Sequence, residues 1–157
     1  MNSPEDLISL AEYILDQGST KPSQTALRRT VSTVYCALFH TLAKNSADLL
    51  TARTKSSRSQ YAWQQAYRGI EHGSAGKACE QKAIMDKFPQ SIQRFGAMFV
   101  EMQQARNKAD YDSHSKFSKA LVIDYIDRAQ DVMIGFNKAT AKDRNAFCIH
   151  VLFRARK

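Results

Sequence analysis

Leu27, Val31, Val34, Leu38 and Leu42 recur at steps of four, three, four and four residues, which returns every side chain to one face of an α-helix. Tyr35 and Phe39 broaden that stripe, so the segment from near Pro22 to about Lys44, with an extension to Leu50 left open, is expected to be the central core helix. An apolar face of that width must be covered by other elements, and the rest of the chain supplies helices to cover it. The first is expected from Ser3 to Gln17. Ser3 is placed to cap it, Pro4 to open it, and Glu5 and Asp6 to face the positive end of its dipole. Leu7, Leu10, Ala11 and Ile14 would form its apolar face, and Gly18 would end it.

Downstream, Thr51 to Ser59 is polar, small and basic and reads as a loop. A short helix is expected from Gln60 to Glu71, with Trp63, Ala66, Tyr67 and Ile70 on its core side. His72-Gly73-Ser74-Ala75-Gly76 reads as a break, and Ala78 to Lys87 as another short helix. A long helix should run from Gln90 to about Asp110, and one more from Lys116 to about Lys138, capped by Ser113 or Ser115. The latter has two apolar stripes, one through Leu121, Tyr125, Ala129, Val132 and Phe136 and one through Val122, Ile126, Ala129 and Met133, so it should touch two neighbours. The tail from Asp143 to Lys157 suits helix or strand, with helix favoured by its context.

Composition agrees with this all-α reading. Only 6 Gly and 3 Pro occur among 157 residues, too few turn formers for a many-turned β fold. At 43% apolar and 24% charged residues the chain has a globular balance and fits a single helical domain over residues 1–157. The three cysteines, Cys36, Cys79 and Cys148, contain no CxxC pair and suggest a reducing compartment. The acidic, polar N-terminal stretch does not resemble a signal peptide, and no apolar run approaches membrane-spanning length, so a soluble cytoplasmic protein is expected.

The net charge of +8 is uneven. Residues 51–87 carry seven basic against three acidic side chains, and residues 140–157 carry five against one. Clustered positive charge suits a polyanion such as nucleic acid, and it also suits plain solubility. Arg53, Lys55 and Arg58 in the loop, and Arg154 and Arg156 with Lys157 in the basic extension 138–157, are candidate phosphate contacts. Tyr61, Trp63 and Tyr67 lie beside the loop and could stack on bases, although the helical spacing of Trp63 and Tyr67 also fits a core role.

Most catalytic signatures are missing. There is no HExxH, phosphate-binding glycine loop or GxSxG elbow. Cys36 and His40 stand one helical turn apart, but two ligands do not make a zinc site, so no metal or other cofactor is expected. The informative position is Arg106. On the long helix Ile92, Phe95, Phe99 and Met102 follow one stripe, the next step lands on Arg106, and the one after on Ala109. A guanidinium on an apolar stripe must be paired, or must line a wet pocket or an interface. Asp110, one turn on, can pair with it, and the segment Arg106 to His114 adds Asn107, Tyr111 and Asp112.

Two segments, ALRRTVSTVYCALFHTLA at residues 26–43 and ARNKADYD at residues 105–112, resemble in order and spacing the HEPN family of small helical domains, in particular those paired with minimal nucleotidyltransferases. The resemblance implies an up-down bundle of four to six helices that forms a homodimer. It also implies metal-independent RNA cleavage at the dimer cleft, with the RNA 2′-OH as nucleophile, in a toxin-antitoxin or phage-defence setting. The family's motif arginine maps onto Arg106 and the polar residue after it onto Asn107. Its R-x4–6-H spacing calls for His at 111, 112 or 113, where this chain has Tyr111, Asp112 and Ser113, and His114 follows one residue later. Arg106, Asn107, Tyr111 and His114 are therefore the candidate catalytic residues. RNA or nucleotide is the expected ligand, an antitoxin or nucleotidyltransferase a possible partner, and a non-catalytic HEPN module the alternative. The apolar face ending in Arg106 is expected to be partly buried in a two-fold interface.

Overall fold

A computed structural model describes residues 3–17 and 21–156. Eight α-helices and a single 3-10 turn account for the regular structure, with no strand among the described residues. In chain order they are α1 (Pro4–Asp16), α2 (Gln24–Leu50), α3 (Gln60–Arg68), α4 (His72–Cys79), α5 (Lys82–Met85), α6 (Gln90–Tyr111), α7 (Lys119–Lys138) and α8 (Ala141–Leu152); the 3-10 turn is Lys55–Ser57. The count exceeds the expected four to six because the region between α3 and α6 is broken into two short helices and the tail forms a third. No helix among the described residues is long and apolar enough to cross a membrane.

α2 is the axis of the domain. α1, α3, α6, α7 and α8 all pack on it. Leu27, Val31, Val34, Leu38 and Leu42 are buried as their spacing requires, and Tyr35 is buried with them. Beside α2 an aromatic cluster joins three further helices: Phe95 of α6 stacks on Phe136 of α7 at 4.4 Å between ring centroids, and Phe147 of α8 meets Phe136 edge-on at 5.7 Å. The tail is thus a helix held by the core.

Local chemistry sets the helix ends. The Ser3 hydroxyl accepts the Asp6 N–H at 3.0 Å while the Asp6 carboxylate accepts the Ser3 N–H at 3.3 Å, a reciprocal cap of α1. Ile8 and Leu15 are buried on α1, whereas the expected core residue Leu10 is 44% exposed. The face meeting α2 is rotated from the expected one. Gly18 lies outside the described residues.

Three expectations need correction. His72–Gly76 is not a break but the first part of α4. Its glycines disfavour a helix in isolation, yet Ala75, Gly76, Ala78 and Cys79 are buried in the core, and α4 packs on α6. A Cβ at Gly76 would stand 2.1 Å from Gln103 Oε1 of α6, so glycine permits that close approach. The helix expected over Ala78–Lys87 is divided between the end of α4 and α5. α7 begins at Lys119 rather than Lys116, because Ser118 is the residue that accepts the Leu121 N–H, at 3.1 Å. Ser115 instead donates to the Asp112 carboxylate at 2.6 Å. The Gln24 carboxamide pairs with both backbone groups of Phe117, at 2.7 and 2.9 Å, and holds that segment extended against the start of α2.

Arg28 closes the C-terminus of α6. Its Nη1 donates to the carbonyls of Lys108 (3.3 Å), Ala109 (2.9 Å) and Asp112 (2.8 Å), and its Nη2 to that of Ser115. At the end of α6 no further turn supplies N–H groups to the last carbonyls, and a cation there also suits the helix dipole. Arg28→Ala is expected to destabilise the fold by about 2–3 kcal/mol, the scale of hydrogen bonds to a charged donor. Arg28→Lys should recover only part of it, because an ammonium cannot reproduce the planar fork. Chemical denaturation of the two variants checks the ranking, and equal stability of both with wild type would show the cap to be inconsequential.

Candidate functional site

α2 carries a second face beside its apolar stripe. Ser32, Tyr35, Cys36, Phe39 and His40 are spaced by three, one, three and one residues, so they form a ridge of hydroxyl, thiol and ring groups. α6 lies along this ridge, and α4 and α3 close its far end. Together they build a polar seam from four separate parts of the chain.

At one end of the seam the Ser32 hydroxyl donates to the Asp110 carboxylate. Asp110 Oδ2 holds Arg106 Nε at 2.9 Å, and the two side chains remain 28% and 31% exposed. The guanidinium carbon stands 5.7 Å from the Tyr35 ring centroid and 5.8 Å from that of Tyr111, so it lies between two aromatic rings. Asp110, Tyr35 and Tyr111 are partners of Arg106 among the described residues. The sequence alternatives for Arg106 thus resolve into a paired arginine whose outer edge reaches solvent.

Further along the seam the Tyr35 hydroxyl meets Nδ1 of the exposed His72 at 2.7 Å. The His72 ring stacks on Phe39 at 4.0 Å between centroids, 19° from parallel. Beyond it, His40 Nδ1 pairs with the Tyr67 hydroxyl. Gln103 of α6 donates to the His72 backbone carbonyl at 2.6 Å. It therefore fixes the start of α4 against α6.

Burial pushes the Tyr35 hydroxyl up to about 12, with the positive Arg106 opposing, so this phenol stays protonated at neutral pH. Its hydroxyl can serve Nδ1 as donor or acceptor according to the imidazole tautomer. Burial holds His72 below the usual imidazole value, and the charges of Arg106 and His40 lower it further. His40 is lowered by burial as well. Both imidazoles are neutral at pH 7. Burial raises the Cys36 thiol, which keeps it protonated and a weak nucleophile.

The other sequence candidates are dispersed. Tyr111 is 76% exposed at the end of α6, and Asn107 points to solvent from the same helix. His114 lies in the exposed turn after α6, where its backbone N–H donates to Asp112 Oδ1 at 2.9 Å. The Ser115 hydroxyl and this N–H hold the Asp112 carboxyl below the usual range. The structure brings Tyr111 to Arg106 and does not bring His114 there. The apolar stripe Ile92, Phe95, Phe99 and Met102 is covered by the chain's own helices, so it is not the two-fold interface expected of it.

In the loop, Arg58 is turned inward, its side chain 7% exposed. It donates to Asp48 at 3.3 Å and to the Ala52 and Arg53 carbonyls, and its guanidinium covers the Trp63 ring at 4.4 Å. Trp63 Nε1 donates to the same Asp48 oxygen at 2.8 Å. Neither Arg58 nor the buried Trp63 offers a face to a nucleic acid. Arg53 and Lys55 are exposed, but the loop begins where α2 ends, about 22 Å along the helix axis from Tyr35. Arg154 and Arg156 are exposed beyond α8.

An open groove of about 460 Å³ adjoins the Arg106 end of the seam, lined by Thr25, Arg28, Arg29, Ala109, Asp110 and Tyr111. Arg29 is exposed there, one residue from the capping Arg28. Among the described residues no cluster of three or more His, Cys, Asp or Glu side chains is arranged to hold a metal ion.

Tyr35, Gln103 and His72 are the site residues that sequence reasoning did not single out. The ridge spacing on α2 was a usable signal for Tyr35. His72 had none, because it reaches the seam through packing of α4 on α6. Comparison of the chain with protein-family models, with curated proteins and with solved structures finds no match in any of the three.

Proposed function

We propose that the chain acts on RNA at a cleft centred on Arg106, as a HEPN-like, metal-independent endoribonuclease of a toxin-antitoxin or phage-defence system working in the cytoplasm. One observation carries this reading: Asp110 Oδ2 pairs with Arg106 Nε at 2.9 Å while the arginine side chain stays 28% exposed beside the Tyr35 and Tyr111 rings. A guanidinium paired at Nε would keep its terminal nitrogens for a phosphate, which it can grip in bidentate fashion. The basic groove beside it, with Arg29 at its wall, would lead a polyanionic strand past the guanidinium.

In the reaction the RNA 2′-oxygen attacks the adjacent phosphorus and the bond to the 5′-oxygen breaks. The 2′-OH proton passes to a base, and the departing 5′-oxygen takes up a proton. The products are a 2′,3′-cyclic phosphate and a free 5′-OH. Arg106 would stabilise the extra negative charge of the pentavalent phosphate, where a fixed donor acts most strongly. A homodimer would place two such clefts together through surfaces at the exposed Tyr111 end, since the apolar face of α6 is already covered.

The second reading is a non-catalytic module that binds RNA, nucleotide or a partner protein. The position of His114, away from Arg106, favours it.

Arg106→Ala should lower RNA cleavage by roughly a hundredfold or more, while chelation of divalent metal ions leaves the rate unchanged. The fold should survive, because a half-exposed pair one turn apart contributes little. His114→Ala should cleave like wild type. A gel assay that separates cyclic-phosphate products checks all three. Wild-type protein that binds RNA at Arg106 without cutting it would select the binding module.

A further inference from the structure

We propose that the groove between α6 and α7, on the far side of α6 from Arg106, binds a small organic anion with a flat apolar body: an aromatic ring carrying a carboxylate or a phosphate monoester. The site goes beyond the Arg106 reading and does not depend on it.

Helix geometry builds the groove. Glu101, Ala105 and Lys108 stand at steps of four and three on α6 and so share one face. Lys108 is two residues from Arg106, about 200° around the helix, which puts the two cations on opposite sides. α7 supplies Leu121 and Tyr125, one turn apart, and the linking segment supplies Ser115, Lys116 and Phe117. Together these groups line about 310 Å³, the scale of a small-molecule site. The linking segment is fixed, because Gln24 bonds both backbone groups of Phe117 and Arg28 bonds the Ser115 carbonyl.

Three features define the ligand. First, Ala105, Phe117 and Tyr125 line the groove as buried apolar surface, and Leu121, by spacing a member of the α7 core stripe, is left 37% exposed beside it. A flat apolar group would cover that surface. Second, Tyr125 is only 8% exposed, yet its hydroxyl has no hydrogen-bond partner among the described residues. Burial raises this phenol above its ordinary value, so it stays protonated and offers a donor that a ligand oxygen would satisfy. Third, Lys108 and Lys116 are exposed at the groove, and neither has an ion-pair partner among the described residues. The carboxylates around them are engaged elsewhere. Arg128 holds Glu101 through both terminal nitrogens, at 2.7 and 2.8 Å, and Asp124 through Nε. The Ser115 hydroxyl and the His114 N–H occupy Asp112. Two unpaired ammonium groups beside one neutralised carboxylate select an anionic head, and as point charges they take carboxylate or phosphate alike.

The test titrates isotopically labelled protein with 2-naphthoate, 2-naphthyl phosphate and the neutral 2-naphthamide, followed by two-dimensional NMR. Both anions should saturate with a dissociation constant of about 1 mM or lower, the scale of a ligand of a dozen or so non-hydrogen atoms. The signals that move should centre on Lys108, Ser115, Phe117, Leu121 and Tyr125, and 2-naphthamide should bind at least roughly tenfold more weakly. A clear preference for one anion assigns the head as carboxylate or phosphate, and equal affinities assign the charge as the determinant. The double variant Lys108→Gln, Lys116→Gln should weaken both anions roughly tenfold and leave 2-naphthamide unchanged. Tyr125→Phe should weaken the anions a few-fold, with the fold intact by circular dichroism. If the double variant does not fold, Leu121→Glu, at an already exposed position, should abolish anion binding in its place. Equal affinity for 2-naphthamide, signal changes centred elsewhere, or no saturation at about 10 mM would overturn the proposal and leave the Arg106 reading untouched.

Discussion

Nearly every side of α2 is covered, and the rest of the structure follows from that constraint. A helix surrounded by five others cannot keep its polar residues in water, yet α2 contains Thr30, Thr33, Thr41, Asn45 and Ser46, all buried. The threonines resolve this within the helix. Their hydroxyls donate to carbonyls one turn earlier, Ala26, Arg29 and Ala37, each at 2.8 Å. Asn45 goes further. It donates to the Thr41 carbonyl and to Asn137 of α7, and accepts from Arg144 of α8 at 2.7 Å. A buried polar group thereby becomes a three-way joint, whose partners are costly to remove once water is excluded.

The same covering fixes the polar seam. Tyr35 is a core residue by position and a site residue by its hydroxyl: the ring fills space against Phe99 at 5.5 Å, and the oxygen reaches His72. A side chain with both duties couples site geometry to core packing. Arg106 has the corresponding place on α6, at the outer end of a stripe whose inner members are fully buried. The cleft therefore sits on two long helices rather than on loops, the more rigid support for a group that must meet a phosphate in one orientation.

The positions that sequence reasoning reached are those where a period repeats long enough to outvote local exceptions. The stripes of α2, α6 and α7 are of this kind, and Arg106 stood out because it interrupts one. The start of α1 was legible from its Ser3 cap, while Ser23 and Ser59, which cap α2 and α3 in the same way, were not singled out. What escaped depends on partners remote in the chain. His72–Gly76 looks like a break until α6 lies against it, and Phe117, just before α7, is held extended by a glutamine ninety-three residues earlier. Arg58 showed the opposite error: it reads as a free cation, while Asp48 and Trp63, on either side of it in sequence, draw it inward.

The inward-facing arginines change what the formal charge of +8 means. Arg28 and Arg58 point at carbonyls and an aromatic ring, and Arg128 is gripped by Glu101 through both terminal nitrogens while Asp124 takes its Nε. Such groups gather few counterions from solution and so have few to release when a polyanion arrives. Arg29, the outer edge of Arg106, and the lysines and arginines of the loop and tail are the charges a long nucleic acid would meet. They are distributed over opposite ends of the domain. The chain's electrostatic hold on a polyanion is therefore weaker per formal charge than its composition suggests, and it is exerted in patches.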